Sequence, residues 1–390
     1  MFDYLQIYEP RERLLVGSVD ALLGGLMAPT RLLPRRPPQG PPQRILLLRL
    51  ERIGDLLMTM AALEAVRERA PAATIHLVVG SWNAAVADLL PWVDSYETLD
   101  ASWLSRHASG NSPAALAGRA WGWRANRFDL AMNFEPDIRS NLLTRLSGAP
   151  RRVGFRSGGG ASLLTDAVDY DPSQHSATNL VRLVDTALPA TAPQAPKAPA
   201  CLRVPDAARD QANALLRGMP QHAVKVGMHV GGGRAVKQWD PERFAEVAGR
   251  VSRKHKAAIV FTGTSDERPL VNRTIARLPP DIPFTNLAGE MALDVFAAVL
   301  EQLSLLVTGD TGPMHLAAAV RTPVVAIFGP SDPVRYGPLA DRARVLTADL
   351  WCRPCNRIRR PPERCAAGIP DCLNAISVET VVDAVSDVLG

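Results

Sequence analysis

The chain has 390 residues, 47% of them hydrophobic and 21% charged, a balance that fits a globular protein with room for two domains, each with its own core. Its formal net charge of +5 suits an anionic partner or a membrane surface but is too slight to argue for nucleic acid. No run of about 18 uninterrupted apolar residues occurs, so no spanning helix is expected. The opening stretch, MFDYLQIYEPRER, is polar before it is apolar, unlike a secretory signal. A cytoplasmic chain is therefore expected.

Residues 1–43 form an extension. Leu14 to Met27 is apolar except for Asp20, and Arg31, Arg35 and Arg36 follow before a run of prolines. Two readings stand: an interfacial helix resting on the anionic face of an inner membrane, or a helix packed on the protein or a second subunit and followed by a stiff linker. Residues 44–188 then read as a first α/β domain. Arg44 to Leu50 is a candidate buried strand, Leu56 to Arg69 has helical spacing, and Thr74 to Val79 is a second strand. Asp55 stands where the helix starts, a position at which a carboxylate caps open amides and complements the dipole. Trp82 to Pro91 and Ala114 to Arg127 suggest further helices. Asp129 to Phe134 is a strand ending in Glu135-Pro136-Asp137, and Arg139 to Ser147 returns to helix. Arg151, Arg152 and Arg156 with Gly158-Gly159-Gly160 read as a basic flexible loop, either meeting an acidic acceptor or simply solvated. His175 opens a helix to Leu188.

Pro and Ala dominate residues 189–202, which disfavours both helix and central strand and marks a linker. The alternation resumes over 203–390. Helix Asp206 to Arg217, strand Ala223 to His229, helix Pro241 to Lys254, strand Ala257 to Thr262 and a helix from Asp266 to Leu278 come first. Gly231-Gly232-Gly233 leaves the first of these strands, and glycines let backbone amides approach an anion closely. Lys237 follows. Glu267 stands in the turn after the next strand, where a carboxylate also suits a helix start. Met291 reads equally as core. Leu303 to Val307, the turn Thr308-Gly309-Asp310, a helix opening at Thr311-Gly312-Pro313 and the strand Pro323 to Phe328 complete a βαβ unit. Its helix start would aim open N–H groups and a positive dipole end at an anion, with His315 one turn in. Alternating strands and helices in both halves imply two parallel-sheet domains.

GDTGPMHLAAA followed by TPVVAIFGPSDP resembles the donor-site motif of glycosyltransferase family 9, the ADP-heptose heptosyltransferases. IGDLLMTMAAL, which contains Asp55, is similar to the family's amino-terminal motif, and FDLAMNFEPDIRSNLLTRLSGAPRRVGFR has its cadence. The resemblance starts near Arg44, so the extension lies outside it. It implies the GT-B architecture, two Rossmann-like domains facing across a cleft, with residues 44–188 on the acceptor side and residues 203–390 binding the donor. It makes Asp55 the general base and Lys237, in its K-x-W setting, a phosphate contact with a catalytic part in stabilising the leaving group. It assigns Gly231, Gly232 and Gly233 to the pyrophosphate, Glu267 to the ribose and Met291 to the adenine. Asp310, Thr311, Gly312 and His315 fall to the pyrophosphate and sugar of the donor, and Arg156 and His175 to the acceptor side. Many relatives carry hydroxyl residues where this chain has its glycines. The implied reaction is inverting transfer of heptose from ADP-heptose to a lipopolysaccharide inner-core sugar, with no metal or cofactor needed for catalysis. Alternatives are protein O-heptosylation of an autotransporter and an inactive nucleotide-sugar-binding module.

Four of the five cysteines cluster as Cys352-x2-Cys355-x9-Cys365-x6-Cys372. In a cytoplasmic protein that spacing suggests a structural zinc or iron on thiolates. Free thiols or a redox pair are the alternatives. Arg353, Arg357, Arg359, Arg360 and Arg364 make the surroundings basic.

Overall fold

A computed structural model describes residues 2–7, 9–31, 40–104, 111–189, 201–220, 224–358 and 361–390. The chain divides into two compact units, Met1–Pro199 and Ala200–Gly390. Most of the linker expected over 189–202, and Arg359 and Arg360, lie outside the described residues.

The first unit carries β1 (Arg44–Arg49), β2 (Thr74–Val79), β3 (Ser95–Thr98), β4 (Leu130–Asn133), β5 (Arg151–Phe155) and β6 (Asp166–Val168). They form one sheet in the order β3-β2-β1-β4-β5-β6, and every pairing is parallel. The second unit repeats this with β7 (Lys225–His229), β8 (Ala258–Thr262), β9 (Phe284–Asn286), β10 (Leu305–Gly309), β11 (Val324–Phe328) and β12 (Ala343–Thr347), in the order β12-β11-β10-β7-β8-β9. Both sheets have the doubly wound Rossmann order, in which the winding reverses between the first and fourth strands. Those switch points fall between β1 and β4 in one unit and between β7 and β10 in the other.

The central strands form because they are continuous apolar runs, and the helices on both faces of each sheet bury them. Leu46, Leu47 and Leu48 in β1, and Leu305, Leu306 and Val307 in β10, are fully buried. In the second unit Trp239, Phe244, Phe261 and Ile327 belong to one core cluster. The Trp239 indole donates to the Leu373 carbonyl at 3.1 Å, which pins the turn carrying Lys237 to the carboxyl-terminal segment.

Three local readings need correction. The helix expected from Leu56 to Arg69 is two, Ile53–Met58 and Met60–Arg69. They break at Thr59, whose hydroxyl donates to the Asp55 carbonyl at 2.8 Å, a local bond that competes with helix continuation. Arg151 and Arg152 lie in β5, not in a flexible loop. Their guanidiniums go to backbone carbonyls, Arg151 to Ala187 at 2.7 Å and Arg152 to Ala149 at 2.6 Å. The Gly158 turn is tight rather than loose, because a Cβ there would lie 1.9 Å from the Pro136 carbonyl oxygen.

The extension forms a helix, Pro10–Arg31, seated on the first unit. Asp20 accepts from the Gly160 amide and from the Tyr4 hydroxyl, each at 2.7 Å. Among the described residues no helix is long and apolar enough to cross a membrane.

Candidate functional site

In doubly wound sheets ligands bind outside the carboxyl ends of the strands at the switch point. The first unit gathers charge there. β1 ends at Arg49, which is 2% exposed and donates to the Phe134 carbonyl at 2.7 Å and the Asp55 carbonyl at 3.2 Å. It also pairs with Glu51 at 3.0 Å and, more loosely, with Asp55 Oδ1 at 3.5 Å. Burial works against the Arg49 charge, but Glu51, Asp55 and Glu135 outweigh it and hold the guanidinium above its usual value. The other Asp55 oxygen accepts from the Arg52 amide at 3.2 Å. Asp55 is thus a helix cap, yet its side chain keeps 28% of its surface open.

Glu135, at the end of β4, closes this site from beneath. One of its oxygens accepts from the amides of Leu50 and Glu51, the latter at 2.9 Å. Its Oε2 is buried with no hydrogen-bond partner. Burial, helped by the charge of Glu51 and opposed by Arg49, pushes its carboxyl up to about 8. Sequence reasoning missed Arg49, Glu51 and Glu135 as a group. The available signal was a charged residue inside the run RILLLRL and an acid closing the run DLAMNF.

The second switch point has the opposite character. After β7 come Val230 and the glycines, then a short 3-10 turn, Ala235–Lys237. Lys237 Nζ reaches Asp310 Oδ2 at 2.6 Å, with side-chain exposures of only 20% and 10%. The end of β10 and the Lys237 turn crowd here, since a Cβ on Gly309 would come within 3.2 Å of the Lys237 carbonyl oxygen. Thr311 precedes the helix Gly312–Ala319 in an extended conformation and gives it no side-chain cap. Its hydroxyl is bonded to that of Thr308 at 3.0 Å instead. A helix start without a side-chain cap suits an outside acceptor such as a phosphate oxygen.

Glu267 joins the same cluster from the end of β8. It accepts from the Thr264 amide at 2.9 Å and lies so close to Gly231 that a Cβ there would fall 2.1 Å from its Oε1. His229 stands below at 3.9 Å and meets Thr262 Oγ1 at 3.1 Å. Burial, against the pull of Glu267, lowers the His229 pKa. Gly231, Gly232, Lys237, Glu267, Asp310 and Thr311 are thus brought together. Gly233 continues the same turn, His315 is buried in the helix, and Met291 is half-buried just before the helix Leu293–Glu301.

The remaining expectations divide. His175 caps the helix Ser176–Ala187, its Nδ1 accepting from the Ala177 amide at 3.1 Å. Arg156 is engaged by Asp169 at 3.2 Å and by the Ala167 carbonyl at 2.9 Å. The expected zinc or iron does not fit the cysteines. Cys352, Cys355, Cys365 and Cys372 line one pocket with Val236 and Pro330, but no group of three or more His, Cys, Asp or Glu among the described residues is placed to hold a metal ion. Burial pushes the Cys372 thiol up to about 11.

The lipopolysaccharide heptosyltransferase 2 of Escherichia coli K12 is 25% identical over 313 residues, covering 78% of this chain and 87% of that protein. The solved E. coli ADP-heptose lipopolysaccharide heptosyltransferase II superposes with a TM-score of 0.72 at 22% identity, covering 89% of this chain and 98% of that one. A glycosyltransferase family 9 structure from Veillonella parvula gives 0.74 at 26%, covering 89% and 97%. These neighbours share the GT-B pair of Rossmann-like sheets expected from the sequence. The model of glycosyltransferase family 9 (heptosyltransferase) matches residues 122–365, more than half of the chain, and the protein is a glycosyltransferase of that family.

Proposed function

We propose that this enzyme transfers a heptose from ADP-heptose to a sugar of the lipopolysaccharide inner core, inverting the anomeric carbon. The second unit takes the donor and the first unit presents the acceptor. The observation that supports this reading most is the convergence of Lys237, the glycine turn and an uncapped helix start at one switch point. A diphosphate is the ligand such a group suits. Glu267, one turn away, has an accepting carboxylate for ribose hydroxyls, and Met291 supplies an apolar surface for the base.

In the reaction the acceptor hydroxyl attacks the anomeric carbon as its proton passes to Asp55. The bond from that carbon to the diphosphate oxygen breaks, and ADP leaves with the electron pair. A hydroxyl is a poor nucleophile until a base takes its proton during bond formation. Arg49 and the Arg52 amide hold the Asp55 carboxylate in one orientation. The growing charge on the leaving diphosphate is met by the Lys237 ammonium and the first-turn amides after Thr311. Asp310 positions the ammonium and accepts from sugar hydroxyls. The scheme needs no metal.

A nucleotide-sugar donor fits a cytoplasmic enzyme, and a lipid-anchored acceptor calls for work at a membrane surface. The test is a comparison of purified enzyme with ADP-, UDP- and GDP-linked sugars, reading binding and transfer to truncated core acceptors. Preference for the adenosine donor and retention of heptose in the product are expected. A uridine preference overturns the donor assignment.

A further inference from the structure

Two carboxylates share the Arg49 guanidinium, and the transfer reaction uses only that of Asp55. Glu51 Oε2 lies 3.0 Å from Nη1 and Asp55 Oδ1 lies 3.5 Å from Nη2, so the span of one planar fork separates the two acids. Both side chains keep part of their surface open, 32% for Glu51 and 28% for Asp55. The backbone of Glu51 is held from both sides. Its amide donates to Glu135 Oε1 at 2.9 Å. Its carbonyl accepts from the Trp82 indole at 2.8 Å and from the Asn83 side-chain amide at 2.6 Å. Trp82 and Asn83 belong to the turn Ser81–Asn83 that follows β2, and the Trp82 ring lies so close over Gly80 that no Cβ fits there. The ends of three adjacent strands, β2, β1 and β4, thus fix one half-open carboxylate beside Asp55. A group fixed in this way loses little further freedom when a ligand takes it.

The surroundings say what kind of ligand fits. The Asn83 side chain is fully buried, and its Oδ1 has no donor among the described residues. Three acidic side chains stand about one guanidinium. A ligand that brings hydrogen-bond donors suits this corner, and an anion does not. We propose that Glu51 binds the acceptor, its carboxylate taking the hydroxyl next to the one that Asp55 deprotonates, so that the two acids hold neighbouring hydroxyls of an uncharged sugar ring. The inference rests on the base role proposed for Asp55. Glu51 takes no proton and forms no bond in the reaction. It orients the ring, and an oriented ring presents one oxygen and not its neighbours to the anomeric carbon.

The test is steady-state transfer by the full chain, with ADP-heptose as donor and a truncated core acceptor. Glu51→Gln should raise the KM for the acceptor at least tenfold, the scale of losing a hydrogen bond to a charged group, with kcat falling less than threefold and ADP affinity unchanged. A loss confined to kcat, with the acceptor KM unmoved, overturns the proposal, because Glu51 would then act only through Arg49 on Asp55. Two acceptors, each lacking one of the hydroxyls that flank the attacked one, probe the wild type without any substitution. One of the two should bind it about tenfold more weakly, and equal binding of both and of the parent acceptor overturns the proposal. The same deoxy acceptor should cost Glu51→Gln less than twofold, and losses that simply add overturn the pairing of Glu51 with that hydroxyl. Unchanged transfer by Asp55→Ala is a separate result and overturns the base reading on which the proposal rests.

Discussion

The two switch points share a topology and differ in charge. At the end of β1 and β4 three acidic side chains surround one buried guanidinium, with Glu51, Asp55 and Glu135 about Arg49. At the end of β7 and β10 a lysine, a glycine run and a helix start without a side-chain cap meet the carboxylate of Asp310, with that of Glu267 beside the glycines. Strand order therefore fixes where each site lies and leaves its chemistry to a few turn residues. One site is suited to accept a proton and the other to accept an anion. Transfer from a nucleotide sugar needs both.

Breaking one site at a time should separate chemistry from binding. Asp55→Ala should lower kcat by about 10²–10⁴-fold, the usual span of a general base, while ADP affinity by calorimetry stays within about twofold. Surviving transfer would remove Asp55 from the base role. Lys237→Ala should lower transfer by roughly 10²-fold, the scale of losing one charge-stabilising donor, and should weaken ADP binding as well. That pairing of losses is the signature of the second site, and a loss of kcat with unchanged ADP affinity would deny Lys237 its phosphate.

Much of this was legible beforehand, and the reasons are local. Continuous apolar runs mark β1, β2, β4, β8, β10 and β11 because strands covered on both faces need no polar alternation. β3, β6, β9 and β12 carry no such run, since at or near the sheet margins they are short and largely half-exposed. Lys237, Glu267 and Asp310 could be picked from spacing and family likeness. The Lys237–Asp310 contact could not, because it joins turns more than seventy residues apart. Arg49 and Glu135 were hidden by their neighbours, as single charges inside or beside buried strands. The cysteines misled in the other direction, since their spacing suits a metal and their packing does not.

Gly231→Ala probes the finer fit of the second site. The added methyl would collide with the Glu267 carboxylate and force it away from the Thr264 amide and from the ribose it is proposed to hold. Loss of one such hydrogen bond is worth about 1–2 kcal/mol, so ADP should bind roughly tenfold more weakly. AMP should suffer alike and pyrophosphate should not, if the displaced group serves the nucleoside as proposed. An equal loss for pyrophosphate would place Glu267 elsewhere.

The smallest effect on turnover and the clearest on stability is expected at Glu135. Its carboxyl is raised to about 8 from an ordinary 4.5 by burial and by Glu51, so the folded state holds the proton more tightly than the unfolded chain does. That contribution is complete below pH 4.5 and is lost as pH rises through 8. Glu135→Gln keeps an oxygen for the Leu50 and Glu51 amides and carries no charge to lose. Its melting temperature, measured against wild type from pH 5 to pH 9, should start equal or slightly lower and overtake it toward the alkaline end. One pKa unit corresponds to about 1.4 kcal/mol, so the drift should amount to a few kcal/mol. Transfer at neutral pH should change only about twofold, because Glu135 braces the turn and touches no reacting atom. Parallel melting curves would mean that Arg49 keeps Glu135 ionised, and the first switch point would then be a balanced salt cluster and not a neutral floor beneath Asp55.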